Sequence, residues 1–276
     1  MADPADLPGL RETVARHGLD ARKSLGQHFL LDPAVCARVA QQAGDLAGRQ
    51  VVEVGPGPGG LTRALLAGGA EHVTAIELDR RAVAALAELS GAFPGRLTVL
   101  EADALRVDAA ALVGAPRKVV ANLPYNVGTP LLVGWLRQAG AWESLTLMFQ
   151  QEVAARITAA PDSEDYGRLA VLAQWRCMAR MVMRLPPGAF SPPPKVWSAV
   201  VHLVPHAEQP APELAAAMER LTAAAFGQRR KMLRGSLKPL GQPEALLEAA
   251  GIEPTRRAET LDVAEFERLA RAVLAR

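Results

Sequence analysis

Apolar residues first recur at helical spacing just after Asp32-Pro33. There an aspartate able to cap and a proline at the first helical position mark a helix start. The spacing of Val35, Val39 and Ala40 predicts a helix that stops at Gly44. From Gln50 the pattern becomes short apolar runs alternating with helical ones. Strands are predicted at 50–54, 73–76, 97–100, 118–121 and 145–149. Helices are predicted at 61–66, 80–89, 130–138 and 152–160. Strands alternating with helices mean a parallel sheet covered on both faces, with ligands at the carboxyl ends of the strands. After a helix at 166–174, two consecutive strands (177–185 and 197–204) predict an antiparallel finish. The Pro-rich stretch 205–212 reads as a linker. Beyond it only helical patterns remain, at 213–226, 243–250 and 263–274.

The fold class expected is therefore α/β: a doubly wound, mostly parallel, Rossmann-like sheet with a small all-helical C-terminal domain. The expected boundaries are a partly helical, loosely held leader at 1–23, a Rossmann-like domain at 24–205 and a helical domain at 206–276. The 276 residues, half of them hydrophobic and 22% charged, suffice for proper cores and exclude wholesale disorder. Two cysteines, Cys36 and Cys177, exclude a disulfide framework and a Cys-rich zinc site. His17, His28, His72, His202 and His206 show no metal spacing, so no metal is expected. No apolar run reaches the length of a membrane span and the N-terminus lacks signal-peptide features, so the expected location is cytoplasmic. Arginine outnumbers lysine 26 to 5.

The strongest feature of the first half is Val51-Val-Glu-Val-Gly-Pro-Gly-Pro-Gly-Gly60. Glycines at a strand-to-helix turn let a ligand approach the backbone. Gly55, Gly57 and Gly60 fit the dinucleotide spacing, and Glu77 ends the next strand where it can accept from ribose hydroxyls. Two residues argue against pyrophosphate. Glu53 places a carboxylate beside the turn, which suits an ammonium or sulfonium ligand. Pro56 and Pro58 remove backbone N–H donors that phosphates need. S-adenosyl-L-methionine, with ribose, adenine and sulfonium but no phosphate, fits better. Asp103, followed by Ala104, is then placed to accept from the adenine amino group.

Asn122-Leu-Pro-Tyr125 follows the fourth strand. An exocyclic amino group on a base is a poor nucleophile because its lone pair is conjugated into the ring. Two acceptors, the Asn122 side-chain oxygen and the Leu123 carbonyl, can hold its two N–H protons and favour a pyramidal nitrogen. Pro124 fixes the turn, and Tyr125 offers a face for stacking the base. Methyl transfer would then be an in-line displacement driven by positioning and electrostatics.

The ordered set of motifs resembles the small-subunit ribosomal RNA adenine N6,N6-dimethyltransferases. It comprises Lys23-Ser-Leu-Gly-Gln-His-Phe-Leu30, Glu53-Val-Gly-Pro-Gly57, Glu77-Leu-Asp79, Asp103-Ala104 and Asn122-Leu-Pro-Tyr-Asn126. It continues through Tyr166-Gly-Arg-Leu169, Phe190-Ser-Pro-Pro-Pro-Lys-Val-Trp-Ser198 and Phe226-Gly-Gln-Arg-Arg-Lys-Met-Leu-Arg234. The resemblance implies dimethylation of two adjacent adenosines in 16S rRNA of the small ribosomal subunit or its precursor. It implies cofactor contacts at His28, Leu30, Gly55, Glu77, Asp103 and Asn122, and that Phe190 stacks the target adenine opposite Tyr125. His28 stands where the family usually has Asn. An imidazole can donate one N–H to the cofactor's carboxylate, and its charge varies near neutral pH, so cofactor affinity is expected to depend on pH. Gly128 and Gly235 are smaller departures without assigned consequence.

Residues 220–238 carry Arg220, Arg229, Arg230, Lys231, Arg234 and Lys238 and no acid, a +6 stretch in a chain of net +2. Arg229, Arg230, Lys231, Arg234 and Lys238 are the candidate RNA-phosphate contacts, with Arg230 and Arg234 expected on one helix face. Arg176, Arg180 and Arg184 would share one face of a strand, as an RNA contact or as protection of a sheet edge. The alternatives are a large-subunit rRNA adenine methyltransferase of the antibiotic-resistance type, a DNA adenine methyltransferase, a dehydrogenase, or mainly a ribosome-assembly binding factor. A monomer is expected, since no heptad or exposed apolar stripe stands out.

Overall fold

Strand–helix alternation is realised as a seven-stranded sheet in a computed structural model. It describes residues 7–20, 26–228 and 230–275. The elements run α1 (Leu10–Arg16), β1 (Phe29–Leu30), α2 (Pro33–Gln41), β2 (Gln50–Val54), α3 (Gly60–Ala67), β3 (His72–Glu77), α4 (Arg80–Ala92), β4 (Leu97–Glu101), β5 (Arg117–Asn122), α5 (Gly128–Arg137), β6 (Ser144–Gln150) and α6 (Gln151–Thr158). They continue with α7 (Arg168–Arg176), β7 (Cys177–Leu185), β8 (Phe190–Ser191), β9 (Ser198–Pro205), α8 (Pro212–Phe226), α9 (Leu233–Ser236), α10 (Pro243–Ala250) and α11 (Val263–Leu274).

The sheet order is β4-β3-β2-β5-β6-β9-β7. β2 pairs parallel with β3 and β5, β3 with β4 and β5 with β6, whereas β9 runs antiparallel to β6. The order reverses between β2 and β5, and that topological switch point opens a crevice at their carboxyl ends. Both faces of β2 are covered: Val51, Val52, Glu53 and Val54 are all buried. This is why the strand reads as a continuous apolar run rather than an alternating one. α2 begins as its sequence requires, with Asp32 Oδ1 accepting from the amides of Ala34 (2.8 Å) and Val35 (3.4 Å).

The chain separates into two compact units, Met1–Ala154 with Arg180–Val204, and Ala155–Ala179 with Pro205–Arg276. The helical unit thus draws in Ala155–Ala179, which the linker at 205–212 did not reveal. The reason is apolar: Tyr166 is fully buried edge-on to Phe226 at 6.2 Å, and Phe226 stacks on Phe266 at 5.5 Å. Trp175 of α7 donates from Nε1 to Glu267 of α11 at 3.0 Å. In the expected leader, residues 1–6 and 21–23 lie outside the described residues. The described part is held more firmly than expected. Leu10, Thr13 and Leu19 are buried, and Arg63 of α3 donates to the Pro8 carbonyl at 2.7 Å.

Two further expectations change. Arg176 ends α7 instead of joining the strand. It is buried, with its guanidinium over the Trp175 ring at 5.3 Å. Arg230 and Arg234 share no helix, because α8 stops at Phe226 and α9 starts only at Leu233. Gly227 after α8 and the antiparallel bridge between Met232 and Arg257 break the helical run. Among the described residues, no helix is long and apolar enough to cross a membrane.

Candidate active site

The crevice at the switch point is walled by 26–30, the β2 turn from Glu53, Ile76–Leu78, 102–105 and Asn122–Val127, and it encloses 1020 Å³, open mouth included. His28, Leu30, Glu53, Gly55, Gly57, Glu77, Asp103, Ala104, Asn122, Leu123, Pro124 and Tyr125 all line it. Residues from five separate stretches of sequence therefore meet at one place.

The glycine turn is built for close approach. Gly55 (φ 69°) would place a Cβ 3.2 Å from Pro124 Cδ, so the glycine turn and the Asn-Leu-Pro-Tyr turn pack directly together. Gly57 (φ 54°) would place a Cβ 2.7 Å from the Phe29 ring. Only glycine fits that approach without displacing an aromatic side chain.

Glu53 is buried, and its Oε2 accepts from the Thr62 hydroxyl at 2.6 Å. Burial pushes its carboxyl up to about 8; the Thr62 bond opposes this and the nearby Glu77 adds to it. Glu77 accepts three backbone amides: Leu78 (2.8 Å) and Asp79 (2.9 Å) on Oε1, and Gly57 (3.1 Å) on Oε2. Burial nevertheless holds its pKa above the ordinary range. Oε2, with one amide, keeps lone-pair capacity for a hydroxyl donor. Asp103 caps the short 3-10 turn at 104–106 by accepting from Leu105 N at 3.0 Å, with its second oxygen 3.6 Å from Arg106. Leu78 and Leu105 stand half-exposed among the lining residues.

Asn122 ends β5, and its Nδ2 donates to the His28 carbonyl at 3.0 Å. A carbonyl can only accept, so the amide is fixed with Nδ2 toward His28 and Oδ1 turned away from it. His28 is fixed in turn: Nδ1 lies 2.8 Å from the Pro192 carbonyl and must be the protonated nitrogen. In the neutral ring Nε2 is then a lone pair. The N–H expected for a cofactor carboxylate is already engaged, and donation there requires the imidazolium. Tyr125 is anchored by a 2.6 Å hydrogen bond between its hydroxyl and Ser198 Oγ, and its ring lies 5.2 Å from that of His28. Thr62, Pro192 and Ser198 hold these groups in place; Pro192 and Ser198 fall within the Phe190–Ser198 motif, but what each touches is set by tertiary proximity.

Phe190 departs from expectation. It pairs with Leu30 across the two-stranded β1–β8 sheet, is 5% exposed, and packs with Cys36, Met148 and Val200. The ring is buried and is not among the residues lining the crevice. Of the predicted RNA contacts, Arg230, Lys231, Arg234 and Lys238 are exposed in the helical unit. Arg229 lies outside the described residues. Among the described residues, no group of three His, Cys, Asp or Glu side chains has the arrangement of a metal site.

A parallel-centred sheet with a switch-point crevice and a glycine turn lacking phosphate donors defines a class I, Rossmann-like methyltransferase. The model of the family described as ribosomal RNA adenine dimethylase matches residues 18–273. The chain is 66% identical over 269 residues to ribosomal RNA small subunit methyltransferase A of Gluconobacter oxydans, covering 98% of this chain and 88% of that one. It is 60% identical to the protein of the same name from Paramagnetospirillum magneticum, covering 99% and 97%. Among solved structures, a dimethyladenosine transferase from Plasmodium falciparum has a TM-score of 0.73 at 24% identity, covering 88% of this chain and 96% of that one. The 23S rRNA methyltransferase ErmE has a TM-score of 0.66 at 28% identity, covering 89% and 99%. The chain belongs to the ribosomal RNA adenine dimethylase family.

Proposed function

We infer that this protein uses S-adenosyl-L-methionine to dimethylate the N6 amino groups of two adjacent adenosines in 16S rRNA of the small ribosomal subunit. The carrying observation is the fixed amide of Asn122. With Nδ2 committed to His28, Oδ1 is the atom left to accept an N–H of the target amine, and the Leu123 carbonyl on the same turn is the second acceptor. Together they orient the amino group and draw its lone pair out of conjugation. Tyr125, held by Ser198, offers the ring against which a flipped adenine stacks.

The crevice fits the cofactor on its donor set. Glu77 can receive a ribose hydroxyl, Asp103 can receive an adenine amine, and Glu53 can balance a positive charge. When bound, the cofactor supplies a sulfonium-activated methyl group. The protein's part is to align the amine for in-line displacement and to exclude water.

The names and identity of the closely similar small-subunit enzymes support the small subunit over the large one. The test is labelled methyl transfer to unmodified small subunits, with large subunits as competitor. Label on adenine N6 of the small subunit, lowered at least about 100-fold in Asn122→Ala, is the expected result. Label on the large subunit, or none lost in the variant, would reject this reading. A protein acting mainly as an assembly factor would keep its cellular role in Asn122→Ala.

A further inference from the structure

From Tyr166 to Ala207 the chain carries five basic residues and no aspartate or glutamate. Arg168 and Arg176 belong to α7; Arg180, Arg184 and Lys195 remain with the sheet unit. β7 is the outermost strand, and its side chains alternate. Arg180, Val182 and Arg184 are exposed, while Met181 and Met183 between them are more covered. β7 flanks β9, and Arg180 lies near enough to His202 of β9 to disfavour that ring's charged form, after burial and Lys118. β9 begins at Ser198, the residue that holds Tyr125. Immediately before it stand Lys195, Val196 and Trp197, all exposed, with Trp197 at 50%. The Trp197 backbone is pinned, its carbonyl accepting from Gln151 N at 2.9 Å.

Edge protection explains charged side chains on an outer strand. It does not explain a half-exposed tryptophan on a pinned backbone next to them. Basic residues spaced along one strand, beside an aromatic face and free of acids over 42 residues of sequence, are what a nucleic-acid backbone with unpaired bases requires.

We propose that Arg180, Arg184, Lys195 and Trp197 form an RNA track along the edge of the sheet, gripping backbone phosphates and stacking one unpaired base on the approach to Tyr125. This rests on the rRNA reading above and names a substrate surface outside the crevice. The track ends at Ser198, so substrate held on it is delivered to the strand end that carries the catalytic tyrosine's anchor.

The test is binding of purified small subunits as a function of KCl concentration. It compares wild type, Arg180→Gln/Arg184→Gln, Trp197→Ala, Trp197→Phe and a charge-matched control, Arg11→Gln/Arg38→Gln, at exposed positions of α1 and α2. Loss of two phosphate contacts should flatten the slope of log affinity against log salt by about 1.4 to 1.8. The double variant should raise KM for the particle with kcat held at saturation, and cofactor affinity should not move. Trp197→Ala should weaken binding between about fivefold and a hundredfold without changing the slope, with Trp197→Phe recovering most of it. A double-variant slope equal to wild type overturns the proposal, above all if that variant self-associates, which is the edge-protection outcome. An affinity loss confined to protein-bearing particles, with deproteinised RNA bound as by wild type, makes the occupant a protein and also overturns it. If wild type binds small subunits no better than large ones, the rRNA reading itself has failed and the track falls with it.

Discussion

Glu53 is the residue whose chemistry the structure changes most. Its carboxyl sits at the floor of the crevice, buried, with one hydroxyl donor and no cation among its pKa-shifting neighbours. An ordinary glutamate ionises near 4.5; here burial pushes the group up to about 8. The folded protein therefore prefers Glu53 protonated, and stability contributed by that preference is lost as pH rises from 4.5 through about 8. At ~1.4 kcal/mol per tenfold change in the proton equilibrium, the raised pKa destabilises the folded protein relative to the unfolded chain by about 2 kcal/mol at pH 6 and about 5 kcal/mol at pH 9. Glu53→Gln, which keeps an acceptor for Thr62, removes that pH dependence. The stability gap between variant and wild type should move in the variant's favour by about 2–3 kcal/mol from pH 6 to pH 9, read by urea unfolding at each pH.

The same proton reports on ligand charge. At pH 7 a group with a pKa of about 8 is mostly protonated, so a cation bound beside it must expel the proton to gain a counter-charge. S-adenosyl-L-methionine binding should release roughly one proton at pH 7, measured by calorimetry in buffers of different ionisation enthalpy, and Glu53→Gln should release none. The demethylated product, which lacks the sulfonium, keeps its ammonium, so comparing the two identifies which cation Glu53 serves. A stability gap constant from pH 6 to 9 together with no proton release would refute the reasoning.

Three further outcomes are expected. With Nδ1 of His28 committed to Pro192, the neutral ring has no N–H left for a cofactor carboxylate, so His28→Asn, which supplies an amide donor, should tighten cofactor binding by roughly threefold to tenfold; unchanged affinity would refute it. Gly57→Ala should lose about 2–4 kcal/mol of stability, because φ is 54° and the new Cβ meets the Phe29 ring at 2.7 Å; unchanged unfolding in urea would reject the packing argument. Tyr166 buries its ring completely with a hydroxyl that has no hydrogen-bond partner among the described residues, so Tyr166→Phe should be neutral or stabilising by about 1 kcal/mol in thermal unfolding, and a clear loss would reveal a partner.

Periodicity located the central sheet well because each strand there is a short apolar run ended by glycine, proline or a polar cap. Gln50–Val54, ended by Gly55, is such a case, whereas the helix Val263–Leu274 was legible from its helical period and from the capping box between Asp262 and Glu265. The two-residue ladder of Phe29–Leu30 with Phe190–Ser191 was illegible, since two residues carry no period and the pairing spans over 150 positions. That ladder holds Phe190, so its absence from the crevice lining has a long-range reason. Arg176 misled for a related one: a spacing of four suits both strand and helix, and the helix runs two residues further than predicted.

The crevice residues were legible because their chemistry is local, whereas their protonation and tautomeric states were not. Glu53 reads as a counter-charge in sequence, but in the fold it is a mostly protonated acid until a cation arrives. His28 reads as a donor, yet the neutral ring turns a lone pair outward. Burial raises the pKa of the Glu53 carboxyl and the Pro192 carbonyl fixes the His28 tautomer. The close approach of Gly55 to Pro124 and the hydrogen bond from Asn122 to His28 hold the two motif turns together. The cofactor cradle and the amine-orienting turn are therefore one packed unit. Damage to the glycine turn should consequently appear in kcat as well as in cofactor affinity, a coupling that two merely neighbouring sites would lack.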